Sequence, residues 1–337
     1  TGTLTASTGV TTSTNTPAII TDTSMSSWTD HIGKMIIITS GVRIGATAWI
    51  AKDLGSNAAR ITEWIGPGGT SAVSAPAAGS TYNIVDFTTI SGGSNPGLNL
   101  DISPGFGDPA TTFGYEKTLK FENLKFGDNA IGSTYILNCS NAQFSCCRFL
   151  GYTQSYSQCS HTFISCGFVP TSGSSLAFYT AKAGFLGCLF TREVIFGQNA
   201  TCYTYWCLVQ CASGSNGIFM ENSSLETLNL GIYDCTLSTG AMKLSKFSKL
   251  FTSSTLYGSG NTCAFEITHS DLYFPSAPKI TGTTELKIDG LTTFLPPLIY
   301  SAGGSLPAAA TCVTWINLTS SPFFSQLVNY ASGTRIN

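Results

Sequence analysis

The sequence predicts an all-β protein, with a small N-terminal β-barrel or sandwich module followed by a right-handed, single-stranded parallel β-helix. Composition is the first reason. Only 10% of the 337 residues are charged, whereas 45 threonines, 41 serines and 35 glycines supply the polar positions. These residues are poor helix formers and suit strands and tight turns. The second reason is placement, because none of the 12 cysteines precedes Cys139 and a short motif recurs about every 20 residues beyond it.

The charge balance excludes several classes of function. The net charge is −2 and the chain has no basic run, whereas nucleic-acid binders need clustered lysine and arginine to neutralise phosphates. With 42% hydrophobic and 12% aromatic residues, the chain can bury a core, which argues against disorder. No apolar stretch approaches the roughly 20 residues of a membrane-spanning helix. We therefore expect a folded protein with no nucleic-acid partner and no membrane insertion.

The first 90 residues carry short strand patterns separated by turn residues. The candidate strands are residues 34–39, 46–51, 58–62 and 80–85. Several short strands with turns between them indicate a small β-barrel or sandwich. We assign residues 1–90 to this module, as an attachment or connector domain. The segment 91–109 is rich in Gly, Pro and Asn and predicts a linker.

Part of this module has a more specific pattern. Its features are Trp28 and the segments 32–41, 45–50, 59–62 and 79–84. In this pattern the chain resembles a small β-module of tailed-phage structural proteins and tail fibres. It departs from that family at residues 42–46, which read VRIGA where a GAGQ-type turn is usual. The resemblance implies a structural connector with no catalytic residues.

A six-residue motif recurs in the second region. It consists of an apolar residue, two variable residues, a small or apolar residue, one variable residue and an apolar residue. Copies lie at 121–126, 144–149, 163–168, 185–190, 204–209, 232–237 and 251–256, with a looser one at 286–291. A repeat of this length indicates a solenoid whose stacked rungs bury a continuous column. Such rungs resemble the pectate-lyase-like superfamily, which implies a right-handed parallel β-helix over residues 110–295.

The leucine-rich repeat is an alternative solenoid. Residues 225–230 fit the Leu-x-x-Leu-x-Leu core of a leucine-rich repeat once. The last segment, 296–337, begins with Pro296 and Pro297 and breaks the repeat. We expect it to cap the solenoid or to contact another subunit, since an uncovered solenoid end exposes unpaired strand edges.

The cysteines predict a ladder of buried thiols. The expected ladder consists of Cys147, Cys166, Cys188, Cys207 and Cys235, with Phe149, Phe168 and Phe190 two residues after the first three. Stacking in register would hold these side chains parallel and about 4.8 Å apart, whereas a disulfide needs Cβ atoms roughly 3.5–4.5 Å apart with converging bonds. Free thiols are therefore preferred, with some disulfides as the alternative. The cysteine spacing lacks paired CxxC motifs, so we expect neither a metal site nor a cofactor.

Carboxylates are the main candidates for catalysis. Enzymes that cleave polysaccharides use paired Asp and Glu side chains, and the candidates here, if the chain is an enzyme, are Asp234, Glu266 and Asp271. Acids do not recur at one rung position, and the sequence contains no GxSxG, HExxH or P-loop motif. Enzymatic activity stays open, with a non-enzymatic function preferred. Aromatic residues could instead stack on sugars, and the candidates are Tyr152, Tyr156, Tyr203, Tyr205 and Trp206.

The leading functional hypothesis is a structural protein of a tailed-phage virion. Head decoration, tail fibre and tailspike roles all fit, with the chain on the particle surface, bound to capsid or tail proteins, and homotrimeric. A host-surface glycan is a further expected partner. The alternatives are a polysaccharide-degrading tailspike or secreted lyase or hydrolase, and a non-catalytic carbohydrate-binding adhesin. These hypotheses rest on resemblance and on fold, and fold alone does not determine function.

Overall fold

The computed structural model is all-β, with an antiparallel N-terminal sheet and a parallel β-solenoid of about five turns in residues ~120–250. The described residues are 1–8, 18–67, 69, 71–85, 87–90, 97–100, 119–127, 134–137, 141–155, 160–212, 214–235, 242–246, 248–252, 265–268, 270–273, 286–289, 293–295 and 314–316. Within these ranges, no helix is long and apolar enough to cross a membrane. The predicted cap at 296–337 lies outside the described residues, apart from Thr314–Ile316.

The N-terminal module is a seven-stranded antiparallel sheet. In spatial order its strands are Gly2–Thr3, Thr81–Ile84, Met35–Ile38, Thr47–Gly55, Ala58–Ile61, Ile19–Thr21 and Ala6–Ser7. One short 3-10 helix, Thr29–His31, precedes the third of these strands. All four strand patterns predicted from the sequence thus form strands of this sheet.

The first eight residues complete both edges of the module sheet. The Leu4 amide donates to the Ser80 carbonyl at 2.9 Å, and the next amide, of Thr5, donates to the Thr21 carbonyl at 2.8 Å. One short segment thereby supplies both outermost strands and covers Thr81–Ile84 and Ile19–Thr21, which would otherwise present open hydrogen-bonding groups.

Each complete rung of the solenoid contributes one strand to each of three parallel sheets, which we call S1, S2 and S3. S1 contains Leu119–Glu122, Asn141–Ser145, Ser160–Ile164, Lys182–Leu186, Thr201–Tyr205, Ser224–Leu228, Lys249–Thr252, Asp271–Tyr273 and Thr293–Leu295. S2 contains Thr88–Ile90, Leu124–Phe126, Arg148–Phe149, Gly167–Phe168, Leu189–Phe190, Leu208–Gln210 and Gly231–Tyr233. S3 contains Gly97–Leu100, Thr134–Leu137, Tyr152–Ser155, Leu176–Tyr179, Val194–Gly197, Ile218–Glu221, Met242–Ser245, Phe265–Thr268, Leu286–Asp289 and Thr314–Ile316.

Solenoid pairing begins early in the chain. Thr88–Ile90, which we assigned to the module, pairs with Leu124–Phe126 in S2. Gly97–Leu100, within the predicted linker, pairs with Thr134–Leu137 in S3. Strands that pair with the solenoid therefore already occur within the segments assigned to the module and to the linker.

The recurring motif spans a corner rather than a single strand. Its third residue joins S1 to S2 in the left-handed backbone region, with φ of 51° at Cys146, 47° at Ser165, 62° at Gly187 and 54° at Trp206. This one-residue turn redirects the chain, so the residue that follows points into the solenoid. Cys147 and its equivalents in later rungs occupy that inward position and are buried.

Two columns of stacked phenylalanines fill the interior. In the first, Phe121, Phe144, Phe163 and Phe185 have successive ring centroids 4.9, 5.0 and 5.0 Å apart. In the second, Phe126, Phe149, Phe168 and Phe190 are spaced at 4.8, 4.8 and 5.1 Å. Rings of one column meet those of the other edge to face, as between Phe163 and Phe168 at 5.2 Å. These spacings match the strand spacing of a sheet, so each rung adds one ring to each column.

A column of free thiols runs beside the rings. Cys147, Cys166, Cys188 and Cys207 are buried and unbridged. Each thiol donates to the backbone carbonyl of the phenylalanine one rung earlier, and all four distances are 3.4 Å. The cysteines therefore tie successive rungs together as well as filling space.

Cys235 lies outside this column, which differs from the expected ladder. Val209 pairs with Ile232, which places Leu230 in the position that follows Cys207. Cys235 instead forms a disulfide with Cys211, with Cα atoms 5.2 Å apart. The motif at 232–237 matched the repeat only by residue type. The copy in register begins at Thr227, which pairs with Thr204 and has no apolar side chain to reveal it.

Two other motif copies are also placed differently. In the 251–256 copy, Thr252 rather than Phe251 pairs with Thr227, so the register is offset by one residue. The copy at 286–291 begins in Leu286–Asp289, which belongs to S3 rather than S1. The motif is matched there because this strand of a different sheet has a similar alternation of apolar and other residues. The single leucine-rich match at 225–230 is the S1 strand Ser224–Leu228 and the corner after it.

Thiol accessibility gives a first testable prediction. We expect N-ethylmaleimide to leave Cys166, Cys188 and Cys207 unmodified in the native chain, because all three are buried and burial raises the pKa of Cys166 well above its usual range. Peptide mapping by mass spectrometry after native labelling checks this result, with the chain labelled in guanidinium as the control. Equal labelling of these three thiols in both samples would contradict the buried column.

Candidate functional site at the junction of module and solenoid

The module packs against the outer face of S2 through an apolar cluster. Its members are Met35, Trp49, Ala51 and Phe87 together with Leu189, Leu208 and Tyr233 of S2, and all are buried. Alternation along Thr47–Gly55 explains the arrangement. Ala48 and Ile50 enter the module's own core, whereas Trp49 and Ala51 face the solenoid.

Trp49 occupies the centre of this contact. Its ring stacks on Phe87, with centroids 5.8 Å apart and an interplanar angle of 8°. On the solenoid side it lies against Gly167, where an added Cβ would come within 2.6 Å of the indole ring. The glycine in S2 therefore provides the space that the tryptophan fills.

A polar network borders the apolar cluster. Asp234 accepts hydrogen bonds from Lys52 Nζ at 2.7 Å and from Gln210 Nε2 at 2.6 Å. Arg60 of the module donates to Gln210 Oε1 at 2.6 Å and lies 3.5 Å from the Asp234 carboxylate. The Arg60 guanidinium also sits 4.1 Å from the centre of the Tyr233 ring, within the range of a cation–π interaction. Asp234, directly after an S2 strand, thus forms ion pairs with two cations of the module, Lys52 and Arg60.

Opposing effects set the pKa of Asp234. Burial alone would raise it, but hydrogen bonds from Lys52 and Gln210 and the positive charges of Lys52 and Arg60 outweigh burial and lower the pKa. Ionised Asp234 therefore stabilises the docked module. Because its pKa is lower in the folded state than the ordinary value of 3.8, this stabilisation is present above pH 3.8 and is lost as the pH falls through the folded pKa.

An acid titration tests this network. We expect the urea midpoint of the native chain to fall more steeply below about pH 4 than that of Asp234→Asn, which cannot lose a charge at this position. Urea unfolding followed by tryptophan fluorescence between pH 2.5 and 6 provides the measurement. Asp30→Asn, at an exposed residue of the module, is the matched control and should retain the native pH dependence. Parallel curves for the native chain and Asp234→Asn would show that Asp234 does not stabilise the junction.

A cleft of about 270 Å³ lies elsewhere on the same junction. Ile37, Thr47 and Pro67 line it from the module, and Glu122, Gln143 and Ser145 line it from the solenoid. The Thr47 and Ser165 hydroxyls form a buried hydrogen bond of 2.9 Å across the two parts. The lining offers neutral polar groups, apolar walls and one carboxylate.

Cys146 also lines the cleft, but as a poor nucleophile. Burial, followed by the proximity of Cys147 and Glu122, raises the pKa of its thiol to about 11. The thiol is therefore protonated near neutral pH, and the thiolate is the reactive form. Among the described residues, no group of three or more His, Cys, Asp and Glu side chains is arranged to hold a metal ion.

The structure places the three candidate carboxylates in different sheets. Asp234 follows the S2 strand Gly231–Tyr233 and binds the module. Glu266 lies in S3, in register with Lys243 and Lys287. Asp271 lies in S1, in register with Lys249. Their strands do not form a common face, so the structure does not bring the three together.

Three of the aromatic candidates lie close together, because the ring centroids of Tyr203 and Tyr205 are 5.4 Å apart and those of Tyr205 and Trp206 are 6.1 Å apart. Tyr203 and Tyr205 share one S1 strand, and Trp206 is the corner residue that follows. Tyr152 lies in S3, and Tyr156 is outside the described residues. Sequence reasoning missed the junction residues Lys52, Arg60 and Gln210, for which the sequence carries no local signal.

Comparisons with known proteins identified no relative of this chain. A scan against protein-family models and searches of curated proteins and of solved structures found no match to the chain. The functional argument therefore depends on the residues and their geometry.

Proposed function

We propose that this chain is a structural component of a tailed-phage virion, in which the N-terminal module attaches to the capsid or tail and the solenoid projects from the particle surface. The observation that carries the proposal is the docked junction. Trp49 fills the space over Gly167, and Asp234 holds Lys52 and Arg60. Force on the module would therefore pass directly into the solenoid.

Further features support this proposal. Residues 28–85 resemble a connector module of tail fibres. The low charge, with only 10% of residues charged, suits broad subunit contacts, since interface cores are depleted in charged residues. The proposal includes a right-handed solenoid, a closed barrel for the module and a homotrimeric assembly.

A non-enzymatic function fits the described carboxylates. Asp234 is engaged in the junction, and the strands that carry Glu266 and Asp271 belong to two other sheets. Glycosidases need two carboxyl groups within about 5–10 Å of each other, flanking the scissile bond. Polysaccharide cleavage is accordingly the competing outcome in the experiment below.

Co-sedimentation tests the virion proposal. Purified chain is mixed with capsids and, separately, with tails prepared from particles that lack it, and an unrelated protein of similar mass is the control. We expect saturable co-sedimentation with one of the two preparations and no release of reducing sugar from capsule or lipopolysaccharide. Failure to bind either preparation would overturn the virion assignment, and reducing-sugar release would favour the enzyme.

A further inference from the structure

We propose that the outer face of sheet S1 binds an acidic oligosaccharide, with Tyr203 as the stacking platform and Glu226 and Lys182 as polar contacts. The inference adds a ligand and a site to the proposed virion function. It concerns the isolated chain, so it can be tested separately from particle attachment.

Strand alternation builds this face. In the strands Lys182–Leu186, Thr201–Tyr205 and Ser224–Leu228, one set of side chains is buried and the other points outward. The outward residues form three columns across the rungs, namely Lys182, Thr201 and Ser224, then Gly184, Tyr203 and Glu226, then Leu186, Tyr205 and Leu228. A hydroxyl-rich column, an aromatic centre and an apolar border thus lie side by side.

Tyr203 is held in an unusual position for an exposed aromatic residue. Its side chain is 41% exposed, one of few large apolar side chains with such exposure among the described residues. Its ring lies over Gly184 of the preceding rung, where any Cβ atom would collide with the ring. The ring thus packs close to Gly184 and beside the Tyr205 ring, with centroids 5.4 Å apart, and its exposed part is accessible to a ligand. A fixed tyrosine offers a large contact area at a small cost in conformational entropy.

Glu226 lies on the next rung in the same column and is already oriented. The Tyr205 hydroxyl donates to Glu226 Oε1 at 2.5 Å. This hydrogen bond, with some burial, raises the pKa of Tyr205 to about 12, so the hydroxyl remains a donor at neutral pH. The bond positions the carboxylate and leaves Oε2 to accept hydroxyl groups of a sugar. Charge-assisted hydrogen bonds of this kind are roughly twice as strong as neutral ones.

Lys182 provides the charge that selects the ligand. It is exposed on the preceding rung and, within the described part of the chain, forms no ion pair. The carboxylate of Glu226 lies two rungs away, about 10 Å along the solenoid at the usual strand spacing. A cation on one side of the ring and an acceptor on the other match a sugar chain with an anionic group followed by hydroxyls.

The first experiment is a glycan array printed with neutral and uronic-acid-containing bacterial oligosaccharides. We expect binding to acidic oligosaccharides, and the strongest of them is then titrated by calorimetry. Tyr203→Ala should raise the Kd at least about tenfold, because an aromatic ring that the ligand covers at the centre of a site dominates affinity. Tyr203→Phe keeps the ring and should bind almost as the native chain does.

Tyr179→Ala is the matched control. Tyr179 is also an outward tyrosine packed near a glycine, Gly197, but it lies in S3. We expect native affinity for this variant. Lys182→Gln should weaken binding of the acidic oligosaccharide and leave its carboxyl-reduced form unaffected.

Three results would overturn the inference. These are no binding to any glycan on the array, native affinity for a folded Tyr203→Ala chain, and equal losses for Tyr203→Ala and Tyr179→Ala. Circular dichroism melting confirms that each variant is folded. None of these results depends on co-sedimentation with capsids or tails, so failure of the glycan site and failure of the virion proposal remain distinguishable.

Discussion

Replacing Phe163 with alanine is expected to lower the free energy of unfolding by about 3–5 kcal/mol, the usual cost of truncating a buried phenylalanine. Phe163 is fully buried and stacks between Phe144 and Phe185, with centroids 5.0 Å from each. It also meets Phe168 edge to face at 5.2 Å. Its neighbours belong to paired strands, so they can move little to fill the resulting cavity.

Guanidinium unfolding followed by far-UV circular dichroism provides the measurement. The matched control is Phe219→Ala, because Phe219 lies on the outward side of an S3 strand and is only partly buried. We expect a clearly smaller loss of stability for the control. Similar losses for the two variants would mean that the phenylalanine columns are not the main packing of the solenoid.

Replacing Trp49 with alanine is expected to release the module from S2 while both parts keep their sheets. The indole is fully buried between Phe87 and Gly167, and its removal should cost about 3–5 kcal/mol of docking free energy. Hydroxyl-radical footprinting measures the release directly. Met35 and Tyr233 are buried in the junction, so both should become oxidised in the variant.

A control from the same strand makes this test specific. Leu54 lies near the C-terminal end of the same strand, Thr47–Gly55, and is 39% exposed. Leu54→Ala should leave Met35 and Tyr233 protected. Protection of both residues in Trp49→Ala would show that the indole does not hold the module in place.

Much of the fold could be predicted from the sequence because the interior residues of the solenoid repeat from rung to rung. An inward cysteine at Cys147, Cys166, Cys188 and Cys207 recurs with the rungs and indicates the solenoid. The sequence motif can no longer be recognised in the rung where Thr227 occupies the phenylalanine position and Leu230 occupies the cysteine position. Hydrogen-bonded register, rather than residue type, determines which residues stack, and a motif search detects only residue type.

The junction could not be predicted for a different reason. Lys52 and Asp234 are separated by 182 positions in the chain, and no local pattern joins them. The sequence offers Asp234 only as a candidate catalytic carboxylate, whereas its partners Lys52 and Arg60 come from a distant part of the chain. Trp49 is the one local hint. It is a large apolar side chain at a position where a strand with a solvated outer face would carry a polar residue.

The single measurement that tests the central claim is the distance between module and solenoid in solution. Spin labels attached through bio-orthogonal amino acids at the exposed Ile44 and Asn199 can be measured by double electron–electron resonance. The docked junction predicts one narrow distance distribution, which should broaden in Trp49→Ala. A broad distribution in the otherwise native chain would contradict the account, because the module would then move freely on the solenoid.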